Sequence, residues 1–135
     1  MAITTGHTAQ RPARTAYELL GRVCKAIVAN PEQYNQNEWG DSWDYCGSGF
    51  CVAGWIGFLY DGRPSPSHIR RRAMELLDMQ QVLAWELFTP IIPELYSNMP
   101  PVPGSLAYAR VGVRHTRRFM AKYKDHLKAR TLKGV

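Results

Sequence analysis

The chain has 135 residues, 45% of them apolar and 11% aromatic, and a formal net charge of +6 at pH 7. This is enough for one domain with a packed core and too little for two. The polar start, Met1 to Gln10, has no apolar stretch of signal-peptide type, and no segment reaches eighteen apolar residues in a row, so a secreted or membrane-spanning protein is not expected and a soluble cytoplasmic one is.

In chain order, residues 1–10 are expected to be disordered, 11–129 to form a single helical domain, and 130–135 to fray. Pro12 fits the first turn of a helix that carries Tyr17, Leu20, Val23, Cys24, Ile27 and Val28 at helical spacing and is stopped by Asn30-Pro31. Cys24 falls within that apolar stripe and reads as a buried structural thiol. From Glu32 to Asp44 the chain turns to Gln, Asn, Trp, Tyr and Gly, which predicts an ordered loop with one helical turn at Pro31 to Tyr34. Trp39 and Trp43 are expected to plug over the core; an aromatic ligand pocket is the competing reading.

Phe50 to Tyr60 is an eleven-residue apolar run without a charge, followed by Asp61-Gly62 and preceded by Ser48, which is placed to cap it. It predicts a short helix that is hydrophobic on every side and about half the length a bilayer requires, so the rest of the chain must wrap it. Gly54 and Gly57 each cost about 1 kcal/mol of helix propensity against alanine, which close approach of another backbone offsets. Ala53, Gly54 and Gly57 are therefore read as a contact groove, with Trp55, Ile56 and Leu59 filling volume.

Asp61 to Pro66 is a turn, and Ser67 can cap a helix over His68 to Leu77 with Ile69, Ala73, Leu76 and Leu77 inward. Arg70, Arg71 and Arg72 are consecutive and fan around that helix, which reads as a solvated face. Asp78-Met79-Gln80 breaks it. Gln81 to Phe88 is expected to be a further helix with Leu83, Ala84, Leu87 and Phe88 inward, ended by Pro90 and Pro93; the two short helices are compatible with helix-turn-helix geometry. Tyr96 to Pro103 is a stiff extended connector. Gly104-Ser105 then opens the longest helix, roughly 25 residues, with Leu106, Ala109, Val113, Met120, Tyr123 and Leu127 on one side and Arg110, Arg114, Arg117, Arg118, Lys122 and Lys128 on the others.

The expected fold is all-α: a bundle of four to five helices around a short buried central helix, with a long basic C-terminal helix. Charge is segregated along it. Residues 1–31 carry +3, residues 32–94 set four arginines against nine acids for −5, and residues 95–135 set nine Lys or Arg against Asp125 for +8. The segregation points to an acidic partner for the C-terminal end or to pairing between the two halves of the chain.

Cys46-Gly-Ser-Gly-Phe-Cys-Val-Ala-Gly-Trp resembles the Cys-Gly-Thr-x-x-Cys-hydrophobic-Ala-Gly-Trp signature of a family of small uncharacterised actinobacterial and actinophage proteins. The block from Arg72 to Phe88 is similar to that family's second block, Ala-x-x-Leu-Leu-Gly-Leu-Thr followed by a helix ending Leu-Phe. Ser48 stands where threonine is usual and keeps a capping hydroxyl; Asp78 stands where glycine is usual and must take a left-handed conformation. The resemblance implies an α-helical bacterial or phage protein and carries no activity with it.

Cys46 and Cys51, with four residues between them, have zinc-compatible spacing, and His68, His115 and His126 are available as ligands, but no second pair at short spacing completes a finger. Three cysteines in a chain able to build a core fit reduced thiols, so Cys46 and Cys51 are read as packing residues of the motif, with a nucleophile at Cys51 or a disulfide between the two as the minor readings. No phosphate loop, serine elbow or apolar carboxylate pair is present, and neither cofactor nor metal is expected. The function expected is non-enzymatic binding of a protein partner with an acidic surface, through Arg110, Arg114, Arg117, Arg118, Lys122 and Lys128. Nucleic-acid binding by the same helix, or by a helix-turn-helix at 67–88, is the alternative.

Overall fold

The computed structural model describes residues 12–34, 51–63, 68–88 and 99–132. Thr15 opens the first helix: its Oγ1 accepts the Glu18 N–H at 3.1 Å, and Glu18 reaches back to accept the Arg14 N–H, also at 3.1 Å. This near-reciprocal cap starts α1 (Ala16–Ala29) three residues after the expected turn, so Pro12 lies outside the helix. Asn30 closes it from a buried position, its Nδ2 donating to Ala26 O at 2.9 Å. A 3₁₀ turn (Pro31–Gln33) follows, and the later helices are α2 (Val52–Asp61), α3 (Ile69–Leu77), α4 (Gln81–Phe88), α5 (Leu106–Lys122) and α6 (Lys124–Ala129). Among the described residues the sole β pairing is an isolated bridge between Thr15 and Thr131, and the protein is an all-α bundle.

The core helix of the sequence is α2, and its first six residues, Val52 to Gly57, are all buried. It is not apolar to the end in its surroundings: Phe58, Leu59 and Tyr60 are half-buried and Asp61 is exposed, after which Gly62 (φ 78°) ends the helix with a conformation that suits a residue without a side chain. The helix starts at Val52 with Cys51 as the flanking residue, so Ser48 is not its N-cap residue; Ser48 itself lies outside the described residues, as do Cys46, Trp39 and Trp43. α2 packs on α3 and on α1, and α1 in turn packs on α5 and α6, so α1 joins α2 to the C-terminal helices. Leu19, Leu20, Val23, Cys24 and Ile27 of α1 are buried, whereas Tyr17 is half-buried and Val28 exposed, which corrects the expected stripe at both ends.

Two further expectations change. Arg70 is buried, 1% exposed, so the three arginines of α3 are not a solvated face: Arg71 alone is fully outward, and Arg72 forks onto Asp61 with Nε at 3.0 Å and an Nη at 2.7 Å. The long C-terminal helix is also interrupted, because Tyr123 leaves helical geometry (φ −112°, ψ 29°) to donate its hydroxyl to Glu86 of α4 at 2.5 Å. With that break the described residues form six α-helices where four to five are expected.

Beyond the break, residues 130–132 are tied down, while 133–135 of the segment expected to fray lie outside the described residues. Ala16 N–H donates to Arg130 O at 2.9 Å, and Leu132 N–H donates to Arg14 O at 2.8 Å. The Arg130 side chain donates to Glu75 O (2.8 Å) and Leu76 O (3.3 Å), and His126 Nε2 meets Leu77 O at 3.0 Å. These are last-turn carbonyls of α3, of which Glu75 O also accepts the Asp78 N–H at 3.2 Å, and a cation suits that end of the helix dipole. Asp78 closes the same terminus in a left-handed conformation (φ 52°, ψ 50°), with Met79 N–H on Met74 O at 3.1 Å.

α5 comes against the 3₁₀ turn where Gly112 leaves room for Tyr34: a methyl group added at Gly112 would collide with the tyrosine hydroxyl and ring. Tyr34 is 1% exposed, its ring lies 5.5 Å from that of Tyr108, and its hydroxyl has no hydrogen-bond partner among the described residues. Gly112→Ala is therefore expected to lower stability by about 1–3 kcal/mol through overpacking. Tyr34→Phe is expected to raise it by about 1 kcal/mol, since it removes a buried hydroxyl without a partner. Chemical denaturation of the two variants measures both signs.

Candidate partner-binding surface

The basic residues of α5 and α6 fall into two groups, those held by the fold and those left outward. Lys122 belongs to the first: its Nζ donates to both Glu86 carboxylate oxygens at 3.0 and 3.2 Å, and it sits 5.4 Å from the Tyr123 ring centre. Arg130 belongs there too, as the cap of α3. His115 Nε2 approaches Glu86 O at 2.6 Å, so Glu86 is gripped by three residues of the C-terminal region. The hydrogen bond from Tyr123, then that from Lys122, holds the Glu86 carboxyl below its ordinary pKa.

Arg110, Arg114, Arg117 and Arg118 form the second group. At 100° per residue they share one sector of about 100° on the helix circumference, and all four are exposed. Lys122 and His115 mark the edge of this sector toward α4, and Arg117 marks its edge toward α1. Arg110, Arg114 and Arg117 form no ion pair among the described residues. The structure thus retains four of the six expected partner-binding residues as a surface ridge, assigns Lys122 to the fold, and sends Lys128 elsewhere.

Lys128 joins a groove of about 840 Å³ between α1, α5 and α6. Its walls carry Arg22 and Lys25 from α1, Arg117 from α5 and Lys128 from α6, against Glu18 as the one acid among the lining residues. Glu18 is already paired with Arg22 at 3.3 Å, and the Lys128 ammonium lies 5.1 Å from the centre of the Tyr17 ring. Met120 and Gly21 form the floor. Tyr17, Gly21 and Lys25 recur every fourth residue, which puts them on one line along α1. That spacing is visible in the sequence, but Tyr17 reads there as a core residue because nothing local marks which side α5 covers.

The motif residues Ala53, Gly54, Trp55 and Gly57 are all buried in α2, with the Trp55 ring edge-on to Phe58 at 5.7 Å. Cys51 is buried and disulfide-bonded, which corrects the expectation of reduced thiols and takes its sulfur out of both the zinc and the nucleophile readings. Cys24 is a free thiol whose pKa burial raises to about 11, with the charge of Arg117 acting the other way. Among the described residues no group of three His, Cys, Asp or Glu could hold a metal ion, and no helix is long and apolar enough to cross a membrane. Comparison of the chain with family models, curated proteins and solved structures gave no match.

Maleimide labelling with peptide mapping tests the thiol assignment. Cys24 is expected to react slowly in the native protein and fast in denaturant, and Cys51 only after reduction. The Glu86 clamp predicts a pH dependence. A carboxylate whose pKa is lowered on folding contributes stability above its unfolded value, near 4.3, that is lost as pH falls through the folded value. The gap in Tm between the parent and Glu86→Gln is therefore expected to be full at neutral pH and to close in acid below about pH 4.

Proposed function

We propose that the protein is a non-enzymatic binding module for a protein partner with an acidic surface, engaged by the arginine ridge of α5. The observation that carries this reading is the partition of charge: Lys122 pairs with Glu86 and Arg130 caps α3, whereas Arg110, Arg114 and Arg117 form no ion pair among the described residues and stand exposed on successive turns, with the exposed Arg118 beside them. Arginine is suited to this task, because its planar fork binds a carboxylate through two hydrogen bonds and is less strongly hydrated than an ammonium. The ridge also has apolar company on a neighbouring helix, since α4 exposes Val82 (80%), Leu83 (40%) and Trp85 (39%). Apolar and aromatic anchors beside a cationic rim suit a protein partner.

Nucleic acid is the alternative, and the helix-turn-helix seat has the weaker support. α4 has no Lys or Arg, its outward residues are Gln81, Val82, Leu83 and Trp85, and Glu86 is engaged by α5. The ridge itself can neutralise phosphates. On the family resemblance, the chain is phage-encoded and its partner a host protein met in the host cytoplasm. The disulfide at Cys51 weighs against a reducing compartment, and the oxidation state of Cys51 in the source cell decides that point.

The test compares the parent with Arg110→Ala, Arg114→Ala and Arg118→Ala combined. Used as bait in nuclease-treated extract, the parent is expected to retain a protein that the triple variant loses. Binding to arbitrary duplex DNA is expected to be weak at physiological salt. Sub-micromolar DNA binding that falls roughly a hundredfold between 50 and 200 mM salt, as for about four phosphate contacts, and that the variant loses, overturns the reading.

A further inference from the structure

Gly21 sits in the interior of α1, where glycine costs helix stability relative to alanine. Packing does not account for it. A Cβ built there would meet, at the nearest, the Met120 methyl group at 4.0 Å, an ordinary contact, so alanine fits the fold. The space that the missing side chain leaves open is the floor of the α1/α5/α6 groove. A glycine that packing does not require, among the residues lining a groove, is the pattern expected where an outside chain comes close to the helix backbone.

The groove walls define what that chain is. Arg22, Lys25, Arg117 and Lys128 stand on three helices along the two walls, with the lone Glu18 held by Arg22. The distribution suits several carboxylates spread along an extended strand. Met120 gives the floor an apolar surface for a side chain between them. Tyr17 does not offer a stacking face for a nucleobase in the way single-strand binders do, because the Lys128 ammonium lies over its ring.

We infer that the α1/α5/α6 groove seats an acidic, extended peptide segment, its backbone laid over Gly21 and its carboxylates on Arg22, Lys25, Arg117 and Lys128. This deepens the proposed function and rests on it, since the segment belongs to the same acidic partner, and Arg117 links the groove to the ridge.

The experiment uses the full chain and a fluorescein-labelled peptide with an Asp-Glu-Leu repeat, read by anisotropy, with Tm measured in parallel. Gly21→Ala is expected to raise Tm, because alanine is the better helix former. Gly21→Gln, whose side chain enters the groove, is expected to keep the parental Tm and weaken the peptide by about tenfold or more. Lys25→Glu, an exposed charge reversal that leaves packing untouched, is expected to do the same. Parental affinity in both Gly21→Gln and Lys25→Glu, with binding lost only in the Arg110/Arg114/Arg118 alanine variant, overturns the groove and leaves the ridge reading standing. Absence of peptide binding to the parent, or a labelled single-stranded oligonucleotide that binds more tightly than the peptide and is displaced by Gly21→Gln, overturns the inference as well.

Discussion

The constraint on which the bundle depends is the two-sided burial of α1. Leu19, Leu20, Val23, Cys24 and Ile27 are all at most 1% exposed, and α2 on one side and α5 with α6 on the other cover them. At about 25 cal/mol per Å² of apolar surface, side chains of this size are worth roughly 1.5–3 kcal/mol each when removed from water, so α1 is where the loss of a neighbour would be felt most. The same arrangement leaves the line from Tyr17 through Gly21 to Lys25 partly open to solvent, and nearby residues of α5 and α6 complete a groove along it.

Charge follows from the packing. The acidic middle of the chain meets the basic end at a few chosen points: Glu86 with Lys122 and Tyr123, and the carbonyl end of α3 with Arg130 and His126. Internal pairing therefore holds for some residues of the basic segment, and the exposed arginines are the ones proposed to meet an external partner. Exposed ion pairs such as Lys122–Glu86 contribute little individually. The rotation of α5 about its axis follows from its buried face, Tyr108, Ala109, Val111, Phe119 and Met120, which turns the four arginines outward.

The helices themselves are legible in the sequence because apolar spacing and stop signals agree: Asn30-Pro31 ends α1, Asp61-Gly62 ends α2 and Ser105 caps α5 through the Tyr108 N–H at 3.1 Å. What escapes is whatever depends on a distant partner. The break at Tyr123 has no glycine or proline to announce it, since its cause is a carboxylate on another helix. Arg70 is indistinguishable from Arg71 and Arg72 in sequence, yet α3 turns it inward. The groove is not legible for the same reason: Tyr17 belongs to an apolar period, and the residues that line the groove with it, Arg117 and Lys128, lie about a hundred positions further along the chain.

The closure of α3 by Arg130 and His126 bears on the order of events during synthesis. The donor and acceptor residues are 49 to 55 positions apart, and the backbone bonds from Ala16 and Leu132 join the two extremes of the described chain. A growing chain that has released only α1 to α4 lacks the groups that satisfy the end of α3 and the wall that covers α1. Such a topology, rich in contacts between far-separated positions, closes late and more slowly than a bundle of sequential hairpins. Completion of the fold thus waits for the release of α5 and α6, and until then the acidic middle segment lacks the basic segment that later clasps it.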